Sequence, residues 1–362
     1  MTAPQISHRK TDHIRICSTR EVESERRTGF EDVHLIHQSI PEMNIEEVDT
    51  SCTFMGHRLL LPLVIEAMTG GASPAEKINR RLAEVAQVLK VAMGVGSQRI
   101  ALENPAFEAS FRVVRESAPD AFLIANIGAP QLAMGYGPEE AKKAVEMISA
   151  DALAIHVNMT QESVQPEGEP MAKGVTSKIR EIVKELRVPV IVKETGAGIS
   201  AESAGKLEAL GVSGIDVAGV GGTDWAKVES YRGSSGKKGS RSEVFLGWGI
   251  PTAASLVEVT QSTKLTAIAS GGVRDGLQIA KSIALGASAA GLARPLLASA
   301  MRSRHAVEKA IEVIHRELRT AMFLTGSRTM GDLRGAPLVI VGGTCHWLSQ
   351  RGFDTTRYAK RR

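Results

Sequence analysis

The sequence predicts an α/β protein, a closed (β/α)₈ (TIM) barrel with an amino-terminal extension. Eight short apolar runs recur along the chain, each ends in Gly, Ser, Thr, Asn or another small or polar residue, and amphipathic stretches separate them. That alternation is the pattern of parallel strands joined by crossover helices. The runs show little polar alternation, as expected of strands covered on both faces, and a count of eight favours closure over a doubly wound open sheet. At 362 residues and 43% hydrophobic composition the chain can bury one large core. We divide it into an extension over 1–58 and a barrel over 59–362, one domain overall.

The elements follow in order. Up to about Ile45 the chain is charged and without clear period, although IRICSTREVESERR has helical character. LPLVIEAM then precedes PAEKINRRLAEVAQVLK, VAMGVG precedes a loop and ENPAFEASFRVVRES, and FLIANIG precedes GPEEAKKAVEMI. ALAIHVN is followed by VTSKIREIVKEL, PVIVKET by SAESAGKLEAL, and GIDVAGV by a long Gly-rich segment. LTAIASGG with RDGLQIAKSIAL and AAGLA with a helical tail complete the eight. Residues 219–249 carry so many glycines and charges that they are expected to form a mobile loop over the site rather than a packed element.

Composition narrows the function. The 44 basic and 40 acidic side chains give only +4, too mild and dispersed for a nucleic-acid surface. Cys17, Cys52 and Cys345 are far apart and form no C-x-x-C pair, which argues against disulfides and structural zinc and for a reducing cytoplasm. No apolar run reaches membrane-spanning length, so membrane insertion is not expected.

Barrel active sites lie in the loops after the carboxyl ends of the strands, where nearly every reactive-looking residue falls. SGGVRDG at 270–276, followed by a helix and by GASAAGLARP, is a phosphate-site pattern: glycines admit a phosphate close to backbone N–H groups. Gly272, Val273, Arg274, Ala293 and Arg294 are its candidate residues, in the two loops that barrels commonly use for phosphate. Lys193 ends PVIVKE, a position from which an ammonium can reach N1 and O2 of a flavin. His156 and Asn158 alternate at one strand end, and Gln161 and Glu162 follow in the loop.

RKTDHI at 9–14, EAMTGG at 66–71, GVGSQR at 94–99 and HVNMTQE at 156–162, with VKETGAGIS, GVGGTDW and SGGVRDG, together resemble the type 2, FMN-dependent isopentenyl-diphosphate delta-isomerase family over nearly the whole chain. No single one of these motifs carries the assignment. The resemblance implies interconversion of isopentenyl and dimethylallyl diphosphates with reduced FMN and Mg²⁺, NADPH serving as reductant. It implies that Arg9, Lys10, His13, Ser97, Gln98, Arg99, Asn158 and Gln161 bind substrate. Ala67, Met68, Thr69, Ser97, Asn126, Lys193, Thr223, Gly272, Val273, Arg274, Ala293 and Arg294 would hold FMN. Glu162 would be the metal ligand, a hard oxygen suited to Mg²⁺ shared with phosphate, and Gln161, Lys193 and His156 the catalytic group. A cytoplasmic homo-oligomer, a tetramer or octamer, is the implied assembly. Three alternatives stand beside it. A 2-hydroxy-acid oxidase wants a late His base beside an Arg, which VFLGWGIPT lacks; an inosine-monophosphate dehydrogenase wants a loop cysteine, which the stretch after GVGG lacks. The third is a non-catalytic flavin or phosphate binder.

Overall fold

The computed structural model describes residues 3–71, 73–232 and 241–361. Eight parallel strands close into a barrel: β1 (Leu63–Ile65), β2 (Ala92–Gly94), β3 (Leu123–Gly128), β4 (Ala152–His156), β5 (Val190–Lys193), β6 (Gly214–Asp216), β7 (Thr266–Ala269) and β8 (Ala289–Leu292). β8 pairs with β1 through Ala290 opposite Leu63 and Leu292 opposite Ile65, which removes any free edge. All eight predicted runs are these strands, and helices separate them as expected.

Side chains along a strand alternate between faces, and this sorts the barrel into levels. At the bottom and middle, Val64, Ala92, Ile124, Ala152, Ala154, Ile191, Ile268 and Ala289 form an apolar interior. Two residues further along five of the strands stand Glu66, Asn126, His156, Lys193 and Ser270, all lining the main cavity. The interior thus turns from apolar to polar within one period of two. Register aligns the polar level: Gly128 lies opposite His156, His156 opposite Lys193, and Lys193 opposite Asp216.

The extension does two separate jobs. A hairpin of Cys52–Phe54 against His57–Leu59 closes the amino-terminal end of the barrel, with Phe54 fully buried edge-on to Phe122 at 5.3 Å. Helix α1 (Ala3–Thr19) lies instead at the opposite end, seated by buried Ile14, Ile16 and Cys17. It starts earlier than the sequence suggested and stops before EVESERR, because Val22 and Ser24 are drawn into backbone hydrogen bonds with Asp224 and Gly222. Strand Val33–Leu35 then pairs antiparallel with Leu338–Ile340, tying the extension to the carboxyl-terminal region.

The expectation of a loop throughout 219–249 is corrected. Trp225–Arg232 is a helix, α2, that buries Ala226, Val228 and Glu229, and Arg241–Val244 forms a further turn of helix. Glycine content concealed it: the glycines lie before and after α2, while α2 itself packs against α1 and against Met159–Val164. The part of the expectation that falls on 233–240 lies outside the described residues.

The loops after β6 and β7 are pressed backbone to backbone. Gly272 has φ of +88°, and a Cβ there would sit 2.4 Å from the Gly221 carbonyl oxygen and 2.5 Å from Thr28 Cγ2. Gly272→Ala is therefore expected to lower stability by about 1–3 kcal/mol, through strain and overpacking. Chemical denaturation checks it; an unchanged midpoint would show that the two loops are free to part.

Candidate active site

The main cavity opens at the carboxyl ends of the strands and has a volume of about 250 Å³. At its floor stands Lys193. Its Nζ lies 2.9 Å from Asp216 Oδ2 and 3.1 Å from Glu66 Oε2. Burial works against the ammonium, but Asp216 and Glu66 outweigh it and raise Lys193 above the ordinary lysine range. The Ser270 hydroxyl donates to Asp216 Oδ1 at 2.6 Å and fixes that carboxylate.

Beside the ammonium, His156 is held by the hydrogen bond between its Nδ1 and Asn126 Oδ1, at 2.8 Å. Asn126 donates its own amide to the Val95 carbonyl at 3.0 Å, so its oxygen accepts and His156 Nδ1 carries the proton. Nε2 is left as an acceptor. Burial first, then the charges of Lys193 and Lys10, push His156 down to about 4, and the ring is neutral at physiological pH.

Helix α1 brings cations over the mouth. Lys10 Nζ donates to the carbonyls of Gly70 at 2.7 Å and Ser97 at 2.8 Å, across the loops after β1 and β2. Burial, then neighbouring Arg9, push Lys10 down to about 7. Arg9 is held below the ordinary arginine range by burial, and its Nε is buried without a partner. His13 Nε2 lies 2.9 Å from Glu229 Oε1, with its ring edge-on to Trp225 at 5.1 Å.

The loop after β4 forms a second polar group. Gln161 donates to Glu229 Oε1 at 2.9 Å and accepts from Asn158 at 3.4 Å. Arg232 bonds the same Glu229 and bridges to Glu167. Glu162 is buried, and accepts from Asn158 at 2.9 Å, Gln165 at 2.6 Å and the Glu169 backbone N–H at 2.7 Å. These three donors are uncharged. Arg99 is clamped by Glu103 at 2.8 Å and Glu169 at 2.9 Å. At the far side, Arg274 and Arg294 both bond Glu23 Oε1, at 2.8 and 2.9 Å.

Nearly all of the predicted residues line this one cavity: Arg9, Lys10, His13, Ala67, Met68, Thr69, Ser97, Arg99, Asn126, His156, Asn158, Gln161, Glu162, Lys193, Thr223, Gly272, Arg274, Ala293 and Arg294. Two side chains do not. Gln98 is fully buried, donating to the Ala144 carbonyl and accepting from the Asn126 N–H, both at 2.8 Å, so its amide braces the loop instead of facing the cavity. Val273 is fully buried in the core. Sequence reasoning missed Glu66, Asp216, Glu229 and Glu23. Glu66 and Asp216 sit in apolar strand runs, where the spacing Val64 to Glu66 was the available signal; Glu229 was hidden in the supposed loop.

A model of the FMN-dependent dehydrogenase family matches residues 115–339. The isopentenyl-diphosphate delta-isomerase of Methanothermobacter thermautotrophicus is 49% identical to the chain, over 98% of it and 99% of the relative. The chain belongs to the isopentenyl-diphosphate delta-isomerase family. The enzymes so named from Methanosarcina mazei and Pyrococcus abyssi are 47% and 46% identical to this member of the family, over 96% and 98% of its chain and 96% and 97% of theirs. Among solved structures, mandelate oxidase with (S)-2-phenylpropionate superposes with a TM-score of 0.62 at 18% identity, covering 94% of this isomerase-family chain and 98% of that one. At that identity the likeness is one of fold.

The buried neutral His156 makes a pH prediction. Its folded pKa lies below the ordinary value of 6.5, so its contribution to stability is complete above about pH 6.5 and is lost as pH falls toward 4. At pH 4 the loss is about 3 kcal/mol. Glu66 and Glu194, both raised to about 7, act in the opposite direction between their ordinary value and 7. The comparison is therefore made between wild type and His156→Asn. Denaturation at neutral pH and at about pH 5 should show a smaller acid loss in the variant, and equal losses would refute a neutral His156.

Proposed function

We propose that the chain interconverts isopentenyl and dimethylallyl diphosphates, using FMN in its reduced form and one Mg²⁺. The observation that carries this is a single cavity with a cationic group at each side, Arg274 and Arg294 on one and Arg9 and Lys10 on the other. Two anionic ligands would answer two such groups, one of them taking over the cations that Glu23 pairs here.

Both groups pass a test of fit. For the flavin, Thr69 Oγ1 is a buried oxygen without a partner on the cavity wall, and the glycines at 271 and 272 leave no side chains in the loop beside Arg274. Ala67, Met68, Thr69, Ser97, Asn126, Lys193 and Thr223 would surround the ring, and Gly272, Val273, Arg274, Ala293 and Arg294 its phosphate. For the metal, no cluster of three or more His, Cys, Asp or Glu is present among the described residues. Glu162 beside the unpartnered Asn158 Oδ1 is a sparse hard-oxygen set, which suits Mg²⁺ completed by phosphate and water.

Moving the double bond adds a proton at one carbon and removes one from another, with no net oxidation. When bound, reduced FMN would supply the acid–base group for that exchange. The protein supplies placement. Arg9 and Lys10 take the diphosphate, whose charge would hold Lys10, lowered to about 7 by burial, in its protonated form. Lys193 holds positive charge at the cavity floor. Gln161, fixed between Asn158 and Glu229, and neutral His156 orient the hydrocarbon end. An amide is a poor base, so Gln161 positions rather than titrates. NADPH is the proposed reductant, and a cytoplasmic tetramer or octamer the proposed state; among the described residues no helix is long and apolar enough to cross a membrane.

Incubation with isopentenyl diphosphate should give dimethylallyl diphosphate only when FMN, Mg²⁺ and a reductant such as dithionite are all present. Turnover without flavin would refute the proposal. Arg9→Ala and Lys10→Ala should each raise KM about 10–100-fold, the equivalent of about 1.5–3 kcal/mol for a lost charge-assisted hydrogen bond. Steady-state kinetics check this; unchanged KM in both would move the diphosphate elsewhere.

A further inference from the structure

Glu66 is the buried acid at this site to which the preceding roles give nothing to do. It follows β1 and is 5% exposed. Oε2 makes the 3.1 Å contact with Lys193, whereas Oε1 is buried without any hydrogen-bond partner. Glu66 lines both the main cavity and a small void of about 20 Å³ beneath it. Space for Oε1 exists because position 291 is glycine: a Cβ there would lie 2.1 Å from it. The carboxyl is therefore built into the barrel with one oxygen committed and the other open.

The charges around it do not balance. Glu66 and Asp216 face one ammonium, so the fully ionised trio carries a net negative charge against the place where Lys193 would meet the ring. Both Asp216 oxygens are already taken, Oδ1 by Ser270 and, at 3.3 Å, by the Ala218 N–H, and Oδ2 by Lys193. His156 on the neighbouring strand is neutral. Glu194 turns to the backbone N–H groups of Thr195, Gly196 and Ala197 at 2.6–2.8 Å. Of the three members of the trio, Glu66 is the one free to change its charge.

We propose that Glu66 is a proton-accepting positioning residue, which takes up a proton when a flavin ring beside Lys193 is reduced and releases it on reoxidation. A hydride donor would bring two electrons and one proton to the bound flavin, which would then carry one added negative charge. An O–H bond then forms at Glu66, with the proton taken from solvent through the mouth, and the trio becomes neutral. Burial, then Asp216, hold Glu66 up at about 7 before any such charge arrives, which places the exchange in the neutral range. The proposal rests on FMN occupying this cavity.

The test is the midpoint potential of the FMN-loaded protein as a function of pH, in wild type and Glu66→Gln. For a two-electron couple each coupled proton contributes about 30 mV per pH unit. From about pH 7 upward the wild-type slope should be steeper by that amount, with the variant at the higher potential and the two converging toward acid. Equal slopes overturn the proposal. If the variant fails to hold flavin, infrared difference spectra of the wild type decide: reduction should produce a protonated-carboxyl band that shifts on isotopic labelling of glutamate, and its absence overturns the proposal. Failure of the wild type to bind FMN stoichiometrically would refute the cofactor assignment, and this proposal with it.

Discussion

The site is organised around one buried ammonium between two carboxylates. Lys193, Glu66 and Asp216 come from three strands, β5, the end of β1 and β6, and they meet one residue pair above an apolar layer. A lone charge at that depth would be expelled or neutralised. Paired, it fixes the level at which the barrel interior changes character. Everything reactive is arranged on or above this level: Asn126 and His156 by strand register, Ser270 by its bond to Asp216, and the loops by what remains to be covered.

The cover comes from the chain's beginning. Helix α1 contributes Arg9, Lys10 and His13, all of which line the cavity. Lys10 joins the loops after β1 and β2, and His13 joins α2 through Glu229. Just beyond α1, Glu23 bridges Arg274 and Arg294 across the loops after β7 and β8. The amino-terminal segment therefore supplies one cationic group of the cavity and, through Glu23, the partner of the other.

Much of this was legible in the sequence, for reasons that differ by element. The eight strands declared themselves because parallel strands buried on both faces must be short apolar runs, and their ends declared the site because barrels place function there. Glu66 and Asp216 escaped notice because a single acid in an apolar run has no pattern until its cross-barrel partner is known. Gln98 was placed on substrate by its motif, but its side chain braces Asn126 and Ala144 instead; sequence order does not reveal which face of a turn a side chain takes. Helix α2 was mistaken for loop because composition averaged over 219–249 hides eight residues with a buried face.

The aromatic plug at the opposite end has a larger consequence than sealing the core. With Phe54 and Phe122 packed at the base, the cavity opens among the described residues at the carboxyl ends of the strands, under α1. A ligand seated deepest would then have to arrive before one held beneath α1.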